Sequence, residues 1–144
     1  MTKTIALLVT LDTKHQEAGF LVEQVKANGH TPLLFDIGVV GKAGIQADYT
    51  REMIAQAGGS DLETLLHNPT REEAGPIMVM GCIKILKEKL AKDEVHAVLG
   101  LGGTQGTSSC CDVMQALPYG LPKIMVSTVA SGDTSSFVGI KDIT

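Results

Sequence analysis

Four short apolar runs alternate with segments whose apolar residues recur at helical spacing. The strand-like runs lie at residues 4–9, 32–37, 95–99 and 123–127. Runs that are apolar almost throughout are typical of parallel strands covered on both faces. The helical spacing predicts helices after residue 13, over 50–57, after residue 60, over about 75–92 and over 104–116. This alternation predicts an open, doubly wound (Rossmann-like) α/β fold, a parallel sheet with helices on both faces.

Turn and capping residues set the expected ends of these helices. Residues 13–16 (TKHQ) and 60–63 (SDLE) match the capping-box pattern, in which the first residue caps the helix. The pairs at 28–29 (NG) and 68–69 (NP) are typical helix stops. Pro76 fits a first helical turn, where no N–H donor is needed. Over residues 128–144 the sequence predicts a loop without a closing element.

The expected strand order places two unusual loops opposite each other. By analogy with doubly wound folds the order is 2-1-3-4, and ligands of such folds bind outside the carboxyl ends of the strands, where the order reverses. Here that point lies between the first and third strands. The loops that follow these strands are residues 10–14 (TLDTK) and the glycine-rich run 100–107 (GLGGTQGT). We therefore expect both loops to border one binding site.

The glycine-rich run is suited to binding an anion. Glycine carries no Cβ and tolerates positive φ, so successive N–H groups can converge on one point, and the helix predicted after the run adds unpaired N–H groups. Phosphate is the usual guest of such a site. The spacing of Gly100, Gly102 and Gly106 differs from the dinucleotide pattern G-x-G-x-x-G, and no P-loop sequence is present. The alternative is a turn whose glycines serve packing alone.

Two further groups of polar residues are candidates at the same edge. Lys14 is the one lysine expected there, so it could neutralise a phosphate, while Asp12 could orient that lysine or approach a Mg²⁺ ion. In the alternative interpretation Thr13 only caps the helix and Lys14 is solvated. Residues 127–128 and 131–133 follow the fourth strand and could bind ribose, phosphate or a metal-bound water. Their alternative is a plain polar loop.

Composition narrows the class of protein. The chain has 144 residues, enough for one domain, and a net charge of −4, which disfavours a nucleic-acid partner. Its apolar runs fall short of the roughly 18 residues that span a membrane, and no signal-peptide pattern is present, so a cytoplasmic location is expected.

The cysteines and histidines predict no separate chemistry. Cys82, Cys110 and Cys111 form no C-x-x-C pair, and the last two share a helical face with Thr107 and Met114, which favours core packing. The four histidines lack zinc-site spacing. No nucleophile, base and orienting group can be assembled from the predicted loops, which disfavours a triad hydrolase.

Several separated segments together resemble a known family. They are residues 10–14 with Glu17, residues 100–107, residues 117–123 (LPYGLPK) and residues 126–133 (VSTVASGD), in this order. They resemble the N-terminal ATP-binding domain of the tomato mosaic virus resistance protein family and its bacterial relatives of uncertain function. The likeness covers nearly the whole chain.

The resemblance implies one α/β domain over residues 1–144 that binds ATP, with Mg²⁺, and forms a dimer. The nucleotide contacts that it implies are Asp12, Thr13, Lys14, Gly102, Gly103, Thr104, Gly106, Thr107, Ser131, Gly132 and Asp133. No metal-ligating residue of the protein and no catalytic residue is assigned.

The chain departs from the family pattern at three points. His15 and Gln105 stand where bacterial relatives usually have glycine, and the Gln105 side chain would narrow a phosphate site. Family members also continue beyond Thr144 through another strand into a second domain. The fold is therefore expected to be truncated at its C-terminal end, and a partner chain supplying that domain is an expected partner.

Three functions remain open at this point. The leading one is an ATP-binding domain that is regulatory or part of a larger protein. The second is half of a two-domain enzyme acting on a phosphorylated metabolite, with catalytic groups on the missing domain. The third is an interaction module whose partner surface is set by nucleotide.

Overall fold

A single parallel sheet forms the centre of the computed structural model, which describes residues 1–67 and 71–144. Its strands are β1 (Thr4–Val9), β2 (Thr31–Asp36), β3 (Ala97–Gly102) and β4 (Lys123–Ser127). They lie in the order β2-β1-β3-β4, and each neighbouring pair is parallel. The predicted strand order and the doubly wound α/β class are confirmed.

Helices cover both faces of the sheet. They are α1 (His15–Ala27), α2 (Arg51–Ala57), α3 (Leu62–His67), α4 (Arg71–Ala91), α5 (Thr104–Gln115) and α6 (Ser135–Val138). Alternate residues of β1 enter two separate cores: Leu7 and Val9 pack with residues of α1, whereas Ala6 and Leu8 pack with residues of α2, α4 and α5. Burial on both sides explains why β1 is apolar throughout. Among the described residues no helix is long and apolar enough to cross a membrane.

Several predicted helix boundaries were wrong. The N-cap of α1 is Lys14, which makes no side-chain cap, and the Thr13 hydroxyl lies 3.2 Å from that of Thr10 instead. α3 is capped by Asp61 and not by the predicted Ser60, because the Asp61 carboxylate accepts the Thr64 N–H at 2.8 Å. The predicted stop at 68–69 lies outside the described residues.

The long helix and the third strand also differ from the prediction. Because α4 begins at Arg71, Pro76 lies in its second turn, where the missing N–H removes one bond of the helical ladder. β3 begins two residues later than predicted and continues to Gly102, because its last residues pair with both β1 and β4. The C-terminal segment was predicted to be a loop, but it contains the short helix α6.

The cysteines lie in the core, as predicted. Cys82, Cys110 and Cys111 are buried, together with Met114 and Thr107 on the same face of α5. Burial raises the pKa of the Cys82 thiol to about 12 and raises the pKa of Cys110 as well. Thiols with such raised pKa values stay protonated and act as small apolar side chains.

A buried lysine joins the beginning of β4 to the C-terminal segment. The Lys123 side chain is fully buried and donates to the carbonyls of Pro118 (2.7 Å) and Leu121 (2.9 Å) and to the Asp142 carboxylate (2.8 Å). Three acceptors match the three donors of an ammonium group, which is what a buried charge requires. Asp142 also accepts the Gly120 N–H at 2.8 Å. Lys123 and this N–H hold the pKa of Asp142 below its ordinary value of 3.8.

Replacing Asp142 should make the melting temperature depend less on pH between pH 3 and 7. A carboxylate with a lowered pKa stabilises the fold fully above its unfolded value, near 3.8, and loses that contribution as pH falls through the lower folded value. We expect Asp142→Asn to melt below the parent at pH 7, and the gap to narrow as the pH falls below 4. Thermal unfolding from pH 3 to 7 measures this, with Glu88→Gln on the exposed side of α4 as control. An undiminished gap at pH 3 would contradict the assigned ion pair.

Candidate functional site: a cleft at the carboxyl edge of the sheet

The main candidate site is a cleft of about 380 Å³ at the carboxyl ends of β1, β2 and β3. Ligand pockets are usually about 300 to 1,000 Å³, so the cleft can hold a small molecule. It lies where the strand order reverses, as expected for this fold. Its lining residues are Thr10, Asp12, Thr13, Lys14, Ile37, Gly38, Val39, Val40, Ala74, Gly75, Gly103, Thr104, Gln105, Gly106 and Ser109.

The structure brings six of the eleven predicted contact residues together in this cleft. They are Asp12, Thr13, Lys14, Gly103, Thr104 and Gly106. The first three precede α1 and the others form the beginning of α5, so the two loops face each other as the sequence predicted.

Both helices that begin at the cleft lack side-chain caps. Neither Lys14 before α1 nor Gly103 before α5 makes a side-chain hydrogen bond to the first turn. By contrast, α2 is capped by Thr50, which accepts the Met53 N–H, and α3 by Asp61. First-turn N–H groups without a side-chain cap can donate to a ligand and carry partial positive charge. The two helix starts therefore offer the cleft two sets of donors.

The glycine-rich run serves packing at one end and the cleft at the other. A Cβ on Gly102 would lie 2.8 Å from the Cα of Gly106, and one on Gly100 would lie 2.9 Å from the Cβ of Cys110. These two strand glycines let α5 lie close against β3. A Cβ on Gly103 would meet nothing closer than the Thr128 hydroxyl oxygen at 3.7 Å. Gly102 thus lies behind the cleft, whereas Gly103 borders it.

The predicted residues after β4 lie apart from this cleft. The Thr107 and Ser127 hydroxyls are 2.5 Å apart and border a separate cavity of about 300 Å³ between α5 and the C-terminal segment. Residues 131–133 are exposed and line neither cavity. The Asp133 carboxylate accepts the Ser135 N–H at 2.9 Å, at the beginning of α6. The structure therefore does not bring Thr107, Gly102 or residues 131–133 into the cleft.

Sequence reasoning missed the apolar wall of the cleft. Ile37, Val39 and Val40 follow the carboxyl end of β2, and Ala74 lies in α4. The rule that locates ligands at strand carboxyl ends applies to β2 as well, so this rule could have found the first three. Ala74 carried no such signal, because its apolar character indicated only the packed face of α4.

A buried carboxylate holds the loops after β1 and β2 together. Asp36, at the end of β2, accepts the N–H groups of Leu11 (3.2 Å) and Gly38 (3.0 Å). Burial raises the pKa of Asp36, and the two N–H donors oppose that rise. Asp36 therefore serves the architecture of the cleft, while Asp12 lines the cleft itself.

Together, fold and cleft define the class: an open parallel α/β domain with a ligand-sized cleft between the beginnings of two helices. The sequence profile of the uncharacterised protein family UPF0261, N-terminal domain, matches residues 3–144. The chain belongs to this family.

The similarity to bacterial relatives extends over the whole chain or nearly all of it. A UPF0261 protein from Clostridium tetani is 40% identical over 144 residues, which is 100% of this chain and 36% of that protein. A UPF0261 protein from Rhizobium meliloti is 36% identical over 98% of the chain and 34% of its own length. The tomato ToMV susceptible protein tm-1 is 38% identical over 73 residues, or 51% of the chain and 10% of that protein. The chain thus spans about a third of the bacterial relatives.

The two neighbouring glycines should respond differently to one added methyl group. Gly102→Ala places a Cβ against the first turn of α5, and overpacking of this kind costs about 1–3 kcal/mol. Gly103→Ala finds space and an ordinary negative φ of −82°, so its stability should stay near that of the parent. Chemical denaturation of both variants measures the difference. An equal loss of unfolding free energy in the two variants would contradict the close contact between Gly102 and Gly106.

Proposed function

We propose that the cleft binds ATP or a related nucleotide, with the phosphates between the beginnings of α1 and α5. The observation that carries the proposal is that two helix starts without side-chain caps and the Lys14 side chain border one ligand-sized cleft. Helix N-termini favour phosphate groups, and one lysine adds a formal positive charge. The resemblance described above implies the same ligand.

Asp12 is the candidate for a Mg²⁺ ion that accompanies the nucleotide. Among the described residues, no group of three or more His, Cys, Asp or Glu could hold a metal ion by itself. Mg²⁺ in nucleotide sites is typically bound by one or two carboxylates together with phosphates and water, so a single carboxylate at the cleft fits this arrangement. In this proposal Asp12 would contact the ion or its waters, and the ligand would supply the remaining oxygens.

Removing the Lys14 charge should weaken nucleotide binding selectively. A hydrogen bond to a charged group contributes about 1.5–3 kcal/mol, so Lys14→Met should raise the ATP Kd roughly 10- to 150-fold. Isothermal titration with Mg²⁺ and ATP measures the Kd, and Lys87→Met on an exposed part of α4 is the matched control. Unaltered affinity in the Lys14 variant would remove the lysine from the site.

A branched side chain at Gly103 should abolish the response to ATP. Gly103→Val places two methyl groups next to the first N–H groups of α5, at a residue that borders the cleft and whose Cβ would meet no atom closer than 3.7 Å. In the parent, ATP at about 100 times its Kd should add roughly 2.7 kcal/mol to the free energy of unfolding, a shift of several degrees. The valine variant should fold and show no shift. A parent that does not respond to ATP, ADP or GTP would refute the proposed function.

A second candidate is that the domain forms half of an enzyme that acts on a phosphorylated metabolite. The relatives are about three times as long as this chain, so groups outside it can complete the cleft. Turnover of a phosphorylated substrate by the full-length Clostridium tetani relative, absent from this domain alone, would support the enzyme. An ATP-dependent change in dimerisation without turnover would instead support a regulatory domain.

A further inference from the structure

One charged side chain outside the cleft holds the backbone on either side of Val40, which belongs to the apolar wall. The Arg51 guanidinium, at the beginning of α2, donates from one nitrogen to the carbonyls of Val39 (2.9 Å) and Gly41 (2.5 Å). These carbonyls belong to the residues on either side of Val40. The Arg51 side chain is only 17% exposed, so these bonds are partly shielded from water. Arg51 thereby fixes the backbone that presents Val40.

Residues 39–44, the segment that contains Val40, also pack against the loop after β1. Gly41 has a φ of 81°, and a Cβ there would lie 2.8 Å from the Cβ of Asp12. The Gly44 N–H donates to the Leu11 carbonyl at 3.0 Å, and a Cβ on Gly44 would overlap the ring of His15. The glycines let the segment lie flat on this loop. Contacts with Arg51 and with the loop after β1 therefore fix the backbone on either side of Val40.

Val40 itself contributes little to the fold. Its side chain is 53% exposed, yet it lines the cleft. Together with Ile37, Val39 and Ala74 it makes up the apolar wall of the cleft. An exposed valine whose backbone is held by a partly buried arginine is suited to contact a ligand.

We propose that Arg51 is a positioning residue that makes this cleft prefer a phosphate ester with a flat apolar group, such as a nucleobase, over a bare polyphosphate. This inference rests on the proposed function and concerns the apolar end of the ligand, which the phosphate-binding groups do not contact. The strand order supports it. Because β1 lies between β2 and β3, the segment after β2 borders the cleft on the side away from α5. A ligand with its phosphates at α5 therefore extends its other end toward Val40.

The test compares two ligands that share a triphosphate. ATP and inorganic tripolyphosphate are titrated, each with Mg²⁺, into the parent and into Arg51→Met, Arg51→Lys and Val40→Ala. The parent should bind ATP about tenfold more tightly than tripolyphosphate, as expected for the burial of an apolar ring. Arg51→Met should lose most of that ratio through weaker ATP binding, with tripolyphosphate affinity unchanged. Arg51→Lys should restore part of it, since lysine keeps the donors but not their planar arrangement.

The other variants separate the possible outcomes. Val40→Ala should show the same selective loss as Arg51→Met, and this exposed position keeps the test valid if the arginine variant does not fold. Lys14→Met should weaken both ligands alike. If the parent binds ATP but neither Arg51→Met nor Val40→Ala alters the ratio, the inference is overturned and the proposed function stands. If the parent binds neither ligand, both are overturned.

Discussion

The close approach of α5 to β3 is the constraint on which the cleft depends. Gly102 ends β3, and the backbone of Gly106 in the first turn of α5 occupies the space that a side chain at Gly102 would fill. Any Cβ at Gly102 would push that turn away from the sheet. Because the first turn of α5 is held against the end of β3, its N–H groups have a fixed position at the carboxyl edge of the sheet. A cleft bordered by backbone donors needs this rigidity, since a displaced helix end would no longer face the loop after β1.

The opposite side of the cleft is held by polar contacts instead of close packing. Asp36 joins the loops after β1 and β2 through two N–H groups, and Arg51 holds the segment on either side of Val40 through two carbonyls. Arg51 also opposes the rise in the Asp36 pKa through its positive charge. The two charged groups thus fix the backbone in complementary ways: the Asp36 carboxylate accepts hydrogen bonds from N–H groups, and the Arg51 guanidinium donates hydrogen bonds to carbonyls. Loops without regular secondary structure gain defined positions in this way.

The sequence predicted the fold and half of the cleft because both follow from local patterns. Apolar runs locate the strands, and their alternation with helices indicates a doubly wound fold, whose usual strand order was adopted by analogy. The carboxyl-edge rule then brings residues 10–14 opposite the beginning of α5. The boundaries were harder, since capping depends on which of several neighbouring polar residues reaches an N–H group, as Asp61 does for α3. The apolar wall depends on Arg51 bonding to carbonyls some ten residues before it in the chain. Such a contact leaves no periodic signal, because any donor of similar reach could make it.

The charge of the cleft is consistent with a composition that disfavours a nucleic acid but not a small phosphate ligand. Among the described residues that line it, Lys14 and Asp12 are the charged ones, so their formal charges cancel. In the proposed nucleotide site, N–H groups and helix dipoles would supply the attraction for a phosphate, and their effect is confined to about one turn. A nucleic acid needs many cations spread along a surface, and a chain with a net charge of −4 does not favour this. The single phosphate group of the proposed site would need only donors at fixed positions, and the close contact between Gly102 and Gly106 fixes the position of the first turn of α5.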